Sequence, residues 1–407
     1  MNKTKDGVII RLKGPDRVRK RPAVIFNSDD AVGATRAVEM LLDIFITEAA
    51  LGYSKELSVT IHKDNSICIL SKDRGFVLDE TLVDGKPVWE YDFCELFSAP
   101  REKKKVYSYG LIEEKNHNEL YGEPDIPFPK YSATEWGSIS VDLCCVQYVS
   151  EYMNVEAINN GLKKRLSFKK GCKHLELQKE ETDDSSYTQI CFRLDEEVFT
   201  SIDILSDSIL CILESASVTI PGLKCSLFDE RQSLEKTFVF PNGLVDYAKT
   251  ITAKHKSTAL YTQEIETKGK DRYNKQEYDA KVKVIFGFSS VGGFTKCIHN
   301  YKTLEFGGRH LKAILDKVKD ILGWRIASRT ENIDLDTESI IKKCFIMLET
   351  NCSPKATNWE NATKKAITNR MITDMCSDLF NDDFSYFIEK NKDDILSVLK
   401  ENTYVDS

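Results

Sequence analysis

The sequence predicts a layered α+β domain with a mostly antiparallel sheet, followed by a smaller α/β domain. Three observations carry this. Short runs such as "ELSVTIHKDNSICIL", "MNVEAIN" and "YTQICFRLD" alternate apolar and polar residues, the period of a half-buried strand. The stretch "EMLLDIFITEAALGY", Glu39 to Tyr53, is apolar on nearly every face at helical spacing, interrupted only by Asp43, Thr47 and Glu48, and so predicts a helix buried almost all round. The chain of 407 residues exceeds what one core usually organises, and its composition shifts near "LEKTFVFPNGLVDYAKT". The expected domains are residues 1–235 and 236–407.

In chain order, a basic arm precedes the Glu39 helix. The hairpin of "ELSVTIHKDNSICIL" turns at its Asp-Asn pair. A polar, proline-rich loop, "IEEKNHNELYGEPDIPFPKYSATE", separates "SYGL" from a helical run, "SISVDLCCVQYVSEYM". Strands follow in "MNVEAIN", "GLKKRLSFKKG" and "YTQICFRLD", then a helix from about Ile202 to Ala216 and a strand pair, "SVTIPGLKCSLFDE", split by Pro221 and Gly222. The second domain reads as a strand, "AKVKVIFGFS", a helix from Gly308 to Leu322, a strand, "IIKKCFIMLET", and helical runs from Ala362 onward that end in a long helix.

Composition sets bounds on function. With 41% hydrophobic and 30% charged residues the chain has the make-up of an ordinary globular protein. A formal charge of -7 argues against a surface that tracks nucleic acid throughout, and nothing in the sequence supports DNA contact beyond room for a local basic patch. No apolar run reaches the roughly 18 to 20 residues that cross a bilayer, and the charged first residues lack a signal peptide's apolar core, so the expectation is a cytoplasmic protein with no membrane partner. Its 12 cysteines are scattered without any C-x-x-C and read as small buried hydrophobes; its 6 histidines show no metal-ligand spacing.

Several segments, in order, resemble one family: the N-terminal half of the B subunits of DNA gyrase and topoisomerase IV. "LKGPDRVRKRPAVIF", "TEAALGY", "DRGFVLD", "NVEAINNGLKKRLSFKKG", "PGLKCSLFDER", "KTLEFGGRHLKAIL" and "WENATKKAITN" each match a family motif, and together they span nearly the whole chain. The resemblance implies a GHKL (Bergerat-type) ATPase-like sandwich followed by a transducer domain like ribosomal protein S5.

The resemblance also says which residues should carry ATP chemistry, and several are replaced. The family's water-activating glutamate falls on Met40, and its Mg²⁺-holding asparagine on Ile44. A thioether cannot take a proton from water, and an alkyl group cannot ligate a hard cation that demands oxygen. A one-residue slip to Glu39 would turn that side chain about 100° away. The adenine-binding aspartate falls on Ser71; losing a charged acceptor costs on the order of 1.5 to 3 kcal/mol, or roughly ten- to a hundredfold in affinity. Arg74, Gly75, Asp43 and the supporting Thr188 persist, as does Lys364 at the position of a lysine that reaches the γ-phosphate. The glycine-rich lid keeps Gly110 and Leu111, but Trp136 and Ser138 flank its surviving Gly137; Thr4 stands near the place of the arm tyrosine.

The expected function is that of a gyrase-B-like pseudoenzyme with no catalytic residue, no metal and no cofactor, acting through a homodimer or through a heterodimer with a gyrase or topoisomerase IV subunit. The second reading is a divergent ATP-dependent type II topoisomerase subunit, or its N-terminal fragment, using ATP and Mg²⁺. The third is a binder of an apolar ligand on the floor formed by Met40 and Ile44.

Overall fold

The computed structural model describes residues 12, 14–76, 78, 82–83, 86–96, 104–107, 110–113, 136–171, 173–253, 256–270, 277–290, 293–325, 341–352, 357, 360 and 366–400. Helices α1 (Asp16–Arg19) and α2 (Pro22–Phe26) lead into α3 (Ala31–Ala50). Pro22 opens α2, where its missing N–H costs nothing, and Asn27 closes it in the left-handed region at φ 67°. Asp30 caps α3 by accepting the Val32 N–H at 2.9 Å. As expected, α3 is buried nearly all round, and Asp43, Thr47 and Glu48 are buried with the rest. Each therefore needs a partner.

The predicted hairpin forms from β1 (Glu56–Ile61) and β2 (Ile67–Ser71), with Asn65 at φ 61° in its turn. Two small ribbons follow, β3 (Leu82–Val83) with β4 (Lys86–Pro87), and β5 (Lys104–Tyr107) with β6 (Gly110–Glu113), separated by α4 (Val88–Cys94). Next come α5 (Trp136–Val149), β7 (Ser150–Asn159), β8 (Leu162–Lys169), β9 (Lys173–Glu181), β10 (Tyr187–Leu194), α6 (Ser206–Thr219), β11 (Lys224–Asp229) and β12 (Leu234–Phe238). They build an eight-stranded sheet in the order β12-β11-β1-β2-β10-β7-β8-β9, antiparallel except for the parallel pair β1 and β11. Alternate residues of β1, β2 and β10, among them Val59, Ile69, Ile190 and Phe192, face a core shared with α3, α5 and α6.

Four boundaries differ from expectation. Helix α5 stops at Val149, and "SEYM" joins β7 because its residues pair with β10 and β8. Helix α6 runs from Ser206 to Thr219, so it absorbs the first half of the expected strand pair and leaves β11 alone. Strand β9, "KHLELQKEE", had no legible apolar alternation; its charges suit a sheet edge. The division after residue 235 falls inside β12, which belongs to the first sheet.

The second half contains α7 (Leu244–Thr252), β13 (Tyr261–Lys270), β14 (Glu277–Phe288), β15 (Phe294–His299), β16 (Lys302–Leu304), β17 (Gly307–Gly308), α8 (Arg309–Arg325), β18 (Cys344–Cys352) and β19 (Ala366–Ile367). It ends in α9 (Arg370–Asp378), α10 (Asp382–Lys390) and α11 (Lys392–Lys400). Its five-stranded sheet runs β13-β14-β18-β15-β16, with β15 and β18 parallel. Strands β13, β15 and β16 were not foreseen. In place of the expected long final helix, the described residues form three short ones: Asn381 caps α10 by accepting the Asp383 N–H at 2.9 Å, and Asn391 closes it by donating its side-chain amide to the Phe387 carbonyl at 2.8 Å. An apolar seam of Val218 from α6, Leu244 and Ala248 from α7, and Ile298 and Met347 from β15 and β18 joins the two halves.

Among the cysteines, Cys211 is exposed on α6, against the expectation of a buried thiol, and Cys68 and Cys191 depart from it in another way. They stand directly opposite each other on β2 and β10 and are joined by a disulfide. A separation of 123 residues hid this pair from any spacing rule. The expectation fits Cys144, Cys145, Cys225, Cys297, Cys344, Cys352 and Cys376, and burial pushes the Cys225 and Cys297 thiols up to about 12. Reduction is expected to lower the stability of the first domain by about 2 to 4 kcal/mol, read as a fall in the urea midpoint with reductant present. An unchanged midpoint, matched by Cys68→Ala with Cys191→Ala, would show that the bond does not stabilise the fold.

Candidate functional site

The inner face of α3 holds the two positions on which the functional reading turns. Met40 and Ile44, one helical turn apart, are 4% and 1% exposed and belong to the main core. Glu39 lies off that face and forms an ion pair with Arg36 at 2.8 Å, so it does not replace the missing base. Asp43 is 5% exposed, and its carboxylate accepts from the Lys302 ammonium of the second half at 2.5 Å.

Beside this face, β2 and β10 bring Ser71 and Thr188 opposite each other in register. Both are fully buried, and Ser71 shares a 2.9 Å hydrogen bond with Ser54. Thr188 donates its hydroxyl to Asp73 at 2.9 Å and accepts the Phe76 N–H at 3.0 Å. Asp73 also accepts the Gly75 N–H at 2.9 Å, an Asx turn that sets the bend after β2. Gly75 sits at φ 76°, and a Cβ there would lie 1.9 Å from the Ile158 carbonyl oxygen, so no other residue fits. Arg74 donates two hydrogen bonds, at 2.9 and 2.7 Å, to the buried Glu48, and its guanidinium lies 3.9 Å from the centre of the Tyr53 ring.

Aromatic rings pack between α3 and the bend after β2. Phe76, carried by the bend, stacks on Phe45 of α3 with ring centres 5.9 Å apart, and both are fully buried. The structure thus gathers Met40, Asp43, Ile44, Ser71, Arg74, Gly75 and Thr188 around α3 and the end of β2. Gly110 opens β6, and Gly137 follows Trp136 at the start of α5, so neither stands in a continuous glycine-rich loop among the described residues. Lys364 and Thr4 lie outside the described residues. Sequence reasoning missed Asp73, Phe45, Phe76 and Lys302; the acid preceding Arg74 in "SKDRG" was the one readable signal. Among the described residues no three His, Cys, Asp or Glu side chains form a group that could hold a metal ion.

The DNA gyrase B family profile matches residues 243–404. The B subunit of the type 2 topoisomerase of Aquifex aeolicus is 24% identical over 401 residues, 96% of this chain and 45% of its own length. In sequence the chain is similar to the gyrase and topoisomerase IV B subunits. The DNA gyrase B subunit of Thermus thermophilus is 24% identical over 307 residues, covering 74% of this chain and 43% of that protein. The gyrase-B-like chain thus spans less than half the length of these two relatives. Among solved structures, the 43K ATPase domain of T. thermophilus gyrase B in complex with an aminocoumarin superimposes with a TM-score of 0.65 at 19% identity, over 96% of this chain and 94% of that one. The topoisomerase IV ATP-binding domain of Francisella tularensis gives 0.64 at 15% identity, over 96% of both. The fold is that of the GHKL gyrase B ATPase domains. Among the described residues, no helix is long and apolar enough to cross a membrane.

Proposed function

We propose that this gyrase-B-like chain is a pseudoenzyme: it keeps the fold of an ATPase region, does not hydrolyse ATP, and acts by pairing with a second copy or with a gyrase or topoisomerase IV subunit. One observation carries the reading. Met40 and Ile44, at the positions where the family resemblance expects a general base and a Mg²⁺ ligand, are sealed into the core at 4% and 1% exposure. The residues present do not fit Mg²⁺ and ATP, because neither side chain offers an oxygen and both are packed in the core beside the stacked Phe45 and Phe76. Loss of the general base alone removes about 10² to 10⁴ in rate, and the absent metal ligand adds to that.

The second reading, a divergent topoisomerase subunit that uses ATP, draws on one feature. The charge lost at Ser71 reappears two residues later in Asp73, beside Thr188. Against it, that carboxylate already holds Thr188 and the Gly75 N–H. An ATPase assay with Mg²⁺, run with and without added gyrase or topoisomerase IV A and B subunits, tests both readings. Turnover by the chain itself would overturn the pseudoenzyme. Background turnover together with a stable complex on gel filtration, with itself or with an added subunit, is the expected result.

A further inference from the structure

The strands β15 and β16 are joined by a two-residue turn, Asn300 and Tyr301, at φ 44° and 70°. Left-handed backbone at both positions is the tightest hairpin geometry; asparagine accepts it readily, whereas tyrosine adopts it against the crowding of its Cβ on the following carbonyl oxygen. The turn is nonetheless firmly held. Asn300 donates its side-chain amide to the Cys352 carbonyl at 2.8 Å, accepts the Cys352 N–H at 3.0 Å, and donates its own N–H to the Thr350 carbonyl at 3.0 Å.

What this rigid hairpin presents is a set of contacts to the other half of the molecule. Tyr301 packs against the core of the first domain. Lys302 donates to Asp43 of α3 at 2.5 Å, and Thr303 shares a 2.6 Å hydrogen bond with Ser215 of α6. A second polar cluster lies alongside: Glu214 of α6 accepts from the Tyr247 hydroxyl at 3.0 Å and from Lys296 of β15, whose ammonium lies 4.6 Å from the Tyr247 ring centre. The apolar seam continues behind them. The Asp43 carboxylate is buried within the first domain, so removing Lys302 strands a charge there.

We infer that the β15–β16 hairpin is a latch that fuses the two halves into one cooperative unit, with the Lys302–Asp43 ion pair as its pin. The inference goes beyond the proposed function and holds whether or not a nucleotide binds. It assigns the coupling of the two domains to an intramolecular contact of this hairpin with α3 and α6.

Differential scanning calorimetry of the full chain tests it. The unaltered protein should unfold in a single endotherm. Lys302→Met should split that endotherm into two, and Asp43→Asn, which is isosteric and leaves only the partly exposed Lys302 ammonium without its counter-charge, should split it as well. Lys302→Arg, which keeps the positive charge, should retain one. Two endotherms in the unaltered protein, or one undivided endotherm in both Lys302→Met and Asp43→Asn, would overturn the latch.

Discussion

Replacing Met40 by Glu and Ile44 by Asn together is expected to destabilise the first domain by about 5 kcal/mol or more without producing ATP hydrolysis. The two substitutions put a carboxyl and an amide into sites 4% and 1% exposed, among core side chains. An unpaired charge in such a place costs about 3 to 5 kcal/mol, and an amide without partners adds about 1 to 3. Hydrolysis would also need a phosphate cradle, which the interrupted glycine-rich segment does not supply, and a Thr188 hydroxyl released from Asp73. Urea unfolding and a phosphate-release assay on the same sample read both halves of the expectation. Recovered hydrolysis would show that the damage is confined to those two residues; unchanged stability would show that this face of α3 opens to water.

Acidification from pH 6.5 to 4.5 is expected to cost the second domain about 4 kcal/mol through two buried histidines. His299 is fully buried, sharing hydrogen bonds with Thr350 at 2.9 Å and Thr357 at 3.0 Å; burial, helped by the neighbouring His310, pushes its pKa down to about 3. His310 is 1% exposed, neither ring nitrogen has a hydrogen-bond partner among the described residues, and burial pushes its pKa down to about 4. Both are neutral in the fold, whereas the unfolded chain takes up their protons below about pH 6.5. Their contribution is therefore complete above that pH and is lost as the pH falls toward 4. Asp229, which Arg231 holds down to about 2, loses its contribution as the pH falls from the ordinary carboxylate value of 3.8 toward about 2, below this window. Glu349 acts in the opposite sense, because burial pushes its carboxyl up and favours the protonated fold. Comparison with His310→Phe isolates the histidine part: the variant should lose about 2 kcal/mol less across the same interval in urea titrations. An identical pH dependence in the two proteins would contradict the assignment.

Local pattern made much of this molecule legible. Periodicity alone marked α3 and the β1–β2 hairpin, and the collinear family motifs put Met40 and Ile44 in register on one face of that helix. What stayed hidden lies in pairings that local spacing cannot carry. Asp43 and Lys302 are 259 residues apart, Asp73 and Thr188 are 115 apart, and the two disulfide cysteines 123. The last two pairs meet where β2 lies beside β10, and the first meets where the second half docks on α3. Element boundaries slipped where tertiary contacts decide, as when Ser150 pairs in β7 instead of prolonging α5, or where single side chains act as stops, as Asn381 and Asn391 do. Phe45 and Phe76 were each unremarkable as core residues; their stacking in the space beside Thr188 emerges only from the fold.

A cleft beside α3 that no longer accepts a magnesium nucleotide productively is what separates a pseudoenzyme from a divergent ATPase. Calorimetric titration of the full chain with a non-hydrolysable ATP analogue, with and without Mg²⁺, alongside an ATPase assay on the same preparation, measures that property directly. The expected result is no magnesium-dependent binding, with turnover at background. Micromolar affinity that requires Mg²⁺, accompanied by ATP turnover, would contradict it.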